Sequence, residues 1–156
     1  MPSNRRTFIQ QSIALSAYTS LFGSALLCSE SSLAAWLEEN FARGSLTDTL
    51  IRLYNGATLT ESDQIILKLP HVAENGAVVP ISVTSTLPKV TDIAIFVAKN
   101  PTPLAATFKL SPDIDAFVSA RIKMAETCNV IAVVTSDNKL YKAKQEVQVT
   151  IGGCGG

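Results

Sequence analysis

The sequence ends in a cysteine centred among glycines, Gly152-Gly153-Cys154-Gly155-Gly156. The chemistry available there is that of a single thiol, whose thiolate is a nucleophile and can be oxidised into a disulfide or a sulfur adduct. Glycine has no Cβ, so Gly152, Gly153, Gly155 and Gly156 form a thin, conformationally free arm. Such an arm could enter a narrow channel that flanking side chains would block. Other reactive groupings are missing from the sequence. The one histidine, His71, cannot build a multi-histidine metal site and reads as a loop or edge residue. The carboxylate pairs Glu61/Asp63 and Asp113/Asp115 stand at turn signals, where they read as turn and solvation groups. There is no Gly-x-Ser-x-Gly elbow, no phosphate loop and no second cysteine for a Cys-x-x-Cys redox pair. No catalytic residue and no metal ligand is therefore assigned, and the chain is not expected to be an enzyme. Cys154 is the position left to carry chemistry.

The elements that must position this thiol begin with an address. Asn4-Arg5-Arg6-Thr7-Phe8-Ile9-Gln10 precedes a moderately apolar stretch diluted by Ser, Thr and Gln. This is the pattern of a twin-arginine export signal, with Arg5 and Arg6 as the pair. Ser32-Leu33-Ala34 offers small residues for cleavage, so residues 1–34 are expected to be removed. Leu27 before Cys28 is not small, which argues against a lipoprotein signal. The expected location is the periplasm, with no membrane attachment after signal removal. Acidic and basic residues balance at 13 each, which gives no field for nucleic acid. In an oxidising compartment the two remaining cysteines, Cys128 and Cys154, have several fates. A bridge between them would tie down only a tail. Cys154 could form an intermolecular disulfide in a non-catalytic interaction module, or it could hold a covalent adduct. Cys128, at a strand start, reads as buried and inert.

Residues 35–151 are expected to form the folded domain. Trp36, Leu37 and Phe41, then Leu46, Leu50, Leu53 and Tyr54, recur at helical spacing and predict one or two short helices. Ser45 or Thr47 could cap the second, and Asn55-Gly56 could end it. The aromatic stripe Trp36, Phe41 and Tyr54 reads as packing. From Gln64 the period becomes two. Residues 64–69, 77–86, 91–98, 104–110, 116–125, 129–135 and 139–151 predict about seven strands, separated by turn signals at regular spacing, among them Glu74-Asn75-Gly76, Asn100-Pro101-Thr102-Pro103 and Ser136-Asp137-Asn138. The fold class is mainly β, an immunoglobulin-like antiparallel β-sandwich. Runs 93–97 and 130–134 are apolar on both parities, as interior strands can be. The last strand alternates, with Val147, Val149 and Ile151 inward. Residues 152–156 then extend as a flexible arm, reaching roughly 10 Å from Ile151 to Cys154 at about 3.3 to 3.6 Å per residue.

Four segments carry a family resemblance: Ala73-Glu74-Asn75-Gly76-Ala77-Val78-Val79-Pro80, Lys99-Asn100-Pro101-Thr102-Pro103-Leu104, Ala120-Arg121-Ile122-Lys123-Met124-Ala125-Glu126-Thr127, and the run from Val149 through the terminal pentapeptide. Together they resemble SoxY, the sulfur-carrier subunit family of the periplasmic thiosulfate-oxidising system. The resemblance implies a heterodimer with a smaller SoxZ-like subunit. It also implies covalent sulfur attachment at Cys154, and transient docking to a haem enzyme that conjugates thiosulfate, a sulfate-releasing hydrolase and a sulfane dehydrogenase. Haem, manganese and molybdenum would belong to those partners, and no cofactor is expected in this chain.

Overall fold

The computed structural model describes residues 38–111 and 113–150. The export signal assigned to residues 1–34, with Arg5 and Arg6, lies outside the described residues, as do Trp36, Ile151 and the arm with Cys154. A single 3-10 turn, Glu38–Phe41, opens the described part. The first expected helix is thus one short turn here, followed at once by Ala42-Arg43-Gly44. The second is a true α-helix, α1, Leu46–Tyr54. Ser45 caps it: the Asp48 amide donates to Ser45 Oγ at 3.1 Å, and Ser45 Oγ–H donates to the Asp48 carboxylate at 2.7 Å. This reciprocal pair satisfies one of the free amides of the first turn. Asn55 and Gly56, at φ 50° and 74°, end the helix in the left-handed region.

Nine strands follow among the described residues: β1 Leu59–Glu61, β2 Ile65–Lys68, β3 Val72–Ala73, β4 Val79–Ser85, β5 Val90–Val97, β6 Leu104–Lys109, β7 Phe117–Ile122, β8 Cys128–Ser136 and β9 Lys139–Val149. They form a six-stranded sheet in the order β1-β9-β8-β5-β6, with β3 also on β9, and a three-stranded sheet β2-β4-β7. The architecture is the expected immunoglobulin-like sandwich, and its principal ladders are antiparallel. It differs from expectation in two strands. β1 and β3 both join β9 in parallel, pairing Leu59 with Leu140 and Ala73 with Val149. Both are too short to show an alternating pattern. Between them the chain crosses to the other sheet as β2, so one pass from residue 59 to 73 covers two stretches of the β9 edge. Covering an edge in this way withdraws its free amides and carbonyls from pairing with another chain.

Two apolar layers explain the strands that are hydrophobic on both faces. Between the sheets lie Ile93, Ile95 and Val97 of β5, Val130, Ala132 and Val134 of β8, and Val79, Ile81 and Val83 of β4, all fully buried or nearly so. Each buried Val or Ile contributes roughly 1.5 to 3 kcal/mol. On the opposite face of the larger sheet, Ala94, Phe96, Leu104 and Val133 pack under Phe41, Leu46, Leu50, Leu53 and Tyr54. The helix therefore acts as a third layer over β5 and β8, and those strands bury both parities. β9 lies at the margin of this layer and keeps its alternation: Val147 is buried, whereas Glu146 and Gln148 are exposed. A two-residue turn joins β8 to β9, with Asp137 and Asn138 both at positive φ, a twist that suits tight hairpins.

Tyr54 packs edge-on against Phe96, with ring centroids 6.3 Å apart. Burial, and to a lesser degree the Asp92 carboxylate, raise its phenol from 10.0 to about 12. In the unfolded chain the phenol ionises near pH 10, while the folded chain keeps its proton. The stabilisation from this group is thus complete below pH 10 and is lost as pH rises towards 12, by up to about 1.4 kcal/mol per pH unit. Denaturant unfolding on either side of pH 10 should show this extra alkaline loss in the natural chain. Tyr54→Phe should remove it while leaving the loss due to other groups.

Candidate functional site

The cysteine-bearing segment starts immediately after Thr150, so the surroundings of Val149 and Thr150 define its root. β9 is held there from two sides. The Gln148 amide donates to His71 O at 2.9 Å and the Thr150 amide to Ala73 O at 3.1 Å, which extends the β3 ladder past the last strand residue. From the other side the Val149 amide donates to Thr127 Oγ1 at 2.9 Å. Consecutive amides of the final residues are thereby satisfied by elements far away in sequence.

The loops around this root are themselves tied together. In the turn after β3, Asn75 Oδ1 accepts from the Ala77 amide at 2.9 Å. Gly76 O accepts from the Met124 amide at 2.7 Å. A Cβ on Gly76 would collide with Met124 O and with Val149 Cγ1, so only glycine lets the two backbones approach this closely. Asn100 clasps the same loop: its Nδ2 donates to Lys123 O at 2.7 Å and its Oδ1 accepts from the Ala125 amide at 2.9 Å. The Gly44 amide in turn donates to Pro101 O at 3.1 Å, which fastens the segment before α1 to the Asn100 turn. Three resemblance segments, 73–80, 99–104 and 120–127, thus converge with Val149 on one end of the sandwich. The turn reading of Asn75 holds. For Asn100 it was incomplete, because the side chain braces a loop more than 20 residues away and nothing local in Asn-Pro-Thr-Pro marks that partner.

The remaining candidates fall elsewhere. Cys128 is a free, buried thiol that opens β8 opposite Val147 and belongs to the inter-sheet core. His71 is exposed and contributes its carbonyl to β9. Glu61 pairs with Lys144 at 3.2 Å and Lys142 at 3.9 Å across the β1–β9 ladder. Its neighbour Asp63 is exposed, as are Asp113 and Asp115 in the loop between β6 and β7. Neither carboxylate pair is housed in a buried site of the kind that tunes an acid and a base apart. Among the described residues no three His, Cys, Asp or Glu side chains gather as a metal site. Phe41 and Tyr54 pack against Phe96 and its neighbours on the outer face of the larger sheet, as the aromatic stripe suggested.

These features define a small β-sandwich whose last strand is locked at the root of a cysteine-bearing segment. The profile of the family described as "Sulfur oxidation protein SoxY" matches residues 51–154. Among solved structures, the sulfur carrier protein SoxY from Chlorobium limicola f. thiosulfatophilum is similar at 40% identity and a TM-score of 0.63, covering 69% of this chain and 97% of that one. The chain belongs to the SoxY family. A superoxide reductase (neelaredoxin) from Ignicoccus hospitalis is similar at 13% identity and a TM-score of 0.50, over 63% of this chain and 86% of that one. That likeness is one of fold alone. No curated protein sequence matches.

Gly76→Ala should force Met124 and Val149 apart and destabilise the domain by about 1 to 3 kcal/mol. Asn100→Ala should cost about 0.5 to 1.5 kcal/mol, because it removes the partner of the Ala125 amide and the Lys123 carbonyl and leaves both to water. Denaturant unfolding gives both values, and amide exchange should quicken first at residues 123–127 and 148–150.

Proposed function

We propose that this chain is a periplasmic sulfur carrier that holds thiosulfate-derived intermediates covalently on Cys154 and presents them to separate enzymes. The observation that carries this reading is the root itself. A SoxY-family sandwich secures β9 up to Thr150, four positions before Cys154, while the other cysteine of the expected exported chain, Cys128, is buried in the core. A firm base and a thin glycine segment are what a carrier needs to place one atom inside another protein. The sandwich and arm hold and deliver, and the bond-making machinery belongs to the partners.

The chemistry on the thiol balances as follows. Cys154–SH and thiosulfate join with loss of one proton and two electrons, giving Cys154–S–S–SO3⁻; the electrons pass to the haem partner. Water then attacks the sulfonate sulfur under the hydrolase, releasing sulfate and a proton and leaving the persulfide Cys154–S–SH. A sulfane dehydrogenase removes six electrons and seven protons as three waters enter, forming Cys154–S–SO3⁻. A second hydrolysis releases sulfate and restores the thiol. A SoxZ-like subunit completes the heterodimer, and the twin-arginine signal with Arg5 and Arg6 delivers the chain to the compartment where these enzymes work.

Incubation with thiosulfate and the cognate oxidase should add the mass of one thiosulfate unit, removable by reductant and mapping to Cys154. Cys154→Ser should abolish the adduct. Full loading of that variant, or a persistent disulfide between two copies with no adduct in thiosulfate-oxidising cells, would refute the carrier role and favour a module that only dimerises.

A further inference from the structure

The outer face of the larger sheet lies under α1, but the outer face of the smaller sheet, β2-β4-β7, has no cover among the described residues. Register sets the pattern on that face. Ile66 pairs with Thr84 and Thr84 with Phe117, which makes an apolar row across all three strands. Two residues along, Lys68, Ser82 and Ser119 form a polar row, and Arg121 follows beside Pro80. Ile66 is 47% exposed and Phe117 54%, and Ile114, in the loop leading into β7, is 55% exposed. Large apolar side chains left together in water on one sheet face mark a surface that another surface covers. No carboxylate belongs to the three strands, and neither Lys68 nor Arg121 takes part in an ion pair among the described residues. Asp113 and Asp115 belong to the loop before β7, at the end of the sheet away from Arg121.

We infer that this face seats the smaller subunit of the heterodimer, which lays an apolar patch on Ile66, Thr84 and Phe117 and aims carboxylates at Lys68 and Arg121. This rests on the heterodimer reading given above. Position selects a permanent subunit over the enzymes that visit the cysteine. Gly76 and Met124, which stand against Val149 at the root, lie just before β4 and just after β7. From Val79, at that end of β4, to Thr84 is about 17 Å of strand. A subunit centred on the apolar row therefore leaves the root open, whereas an enzyme acting on the cysteine has to approach the root. Charge selects a different chain over a second copy. Two copies face to face bring four cations and no carboxylate from their strands, and could answer them only from the loops holding Asp113 and Asp115. A shallow recess of about 400 Å³, lined by Pro80, Ser119, Ala120 and Arg121, gives an incoming carboxylate a place beside the guanidinium.

The test uses the exported complex with both subunits present. Benzoylphenylalanine placed at position 66 or 117 should crosslink to the smaller subunit on irradiation, whereas the same group at position 51, exposed on α1, should not. Ile66→Ser and Phe117→Ser should each weaken the association of the two subunits about tenfold. Lys68→Gln with Arg121→Gln should weaken it less and should flatten its dependence on salt. All four side chains are exposed, and an unchanged thermal midpoint of the isolated chain checks that the variants fold. Crosslinks from position 117 to a second copy of this chain would overturn the inference, as would an intact complex that crosslinks only through position 51. Unchanged affinity in the two serine variants would overturn it too. A smaller subunit that never copurifies would remove the heterodimer reading and this inference together. The mass of the adduct on Cys154 reports the carrier role separately from either.

Discussion

The structure depends on how the end of β9 is held. A terminal strand frays unless its amides find partners on both sides, and an exposed hairpin supplies only one. Here β8 pairs with one side along its whole length, while β1 and β3 take two stretches of the other. Thr127 and Ala73 then take the last amides. Val147, fully buried between the sheets, adds an apolar anchor just before the exit. Because of these contacts the position of Thr150 is fixed by the whole domain rather than by local preference.

The same end gathers the loops that would otherwise be free. Gly76 and Asn100 act at different places along the chain, yet each brings backbone to the Met124 segment, and Asn75 shapes the turn that presents Gly76. None of these contacts is large. Together they replace solvent around a set of polar backbone groups, so losing one exposes or strands others. For the carrier role proposed for Cys154 such a base matters, since movement at Thr150 would be magnified along any segment that extends beyond it.

Much of the domain could be read from residue types. Ser45 before an apolar helical run, Asn55-Gly56 after it, and Asp137-Asn138 between two strand runs acted as expected, because each works through its own backbone geometry. The apolar runs of β5 and β8 signalled double-sided burial, although the sequence did not name α1 as the cover. β1 and β3 were not legible: three and two residues carry no period, and their partners lie 81 and 76 positions later. Asn100 was recognisable as a turn residue, but its brace is set by tertiary approach, which spacing does not encode. Cys154 was singled out by its type and its glycine neighbours. What the structure added is the root four positions before it, held by Thr127 and Ala73.

The parallel docking of β1 and β3 onto β9 also bears on how the chain is made. Strands from the start of the domain can pair only with a strand at its end, so their ladders close loops of about 80 residues, Leu59 with Leu140 and Ala73 with Val149. Such closures are slow and raise the contact order. During synthesis the early segments emerge long before β9 exists, and the larger sheet cannot be completed while the ribosome still holds its last strand. Acquisition of the native fold must therefore wait for β9, and the cysteine-bearing segment follows directly on the strand that closes the domain.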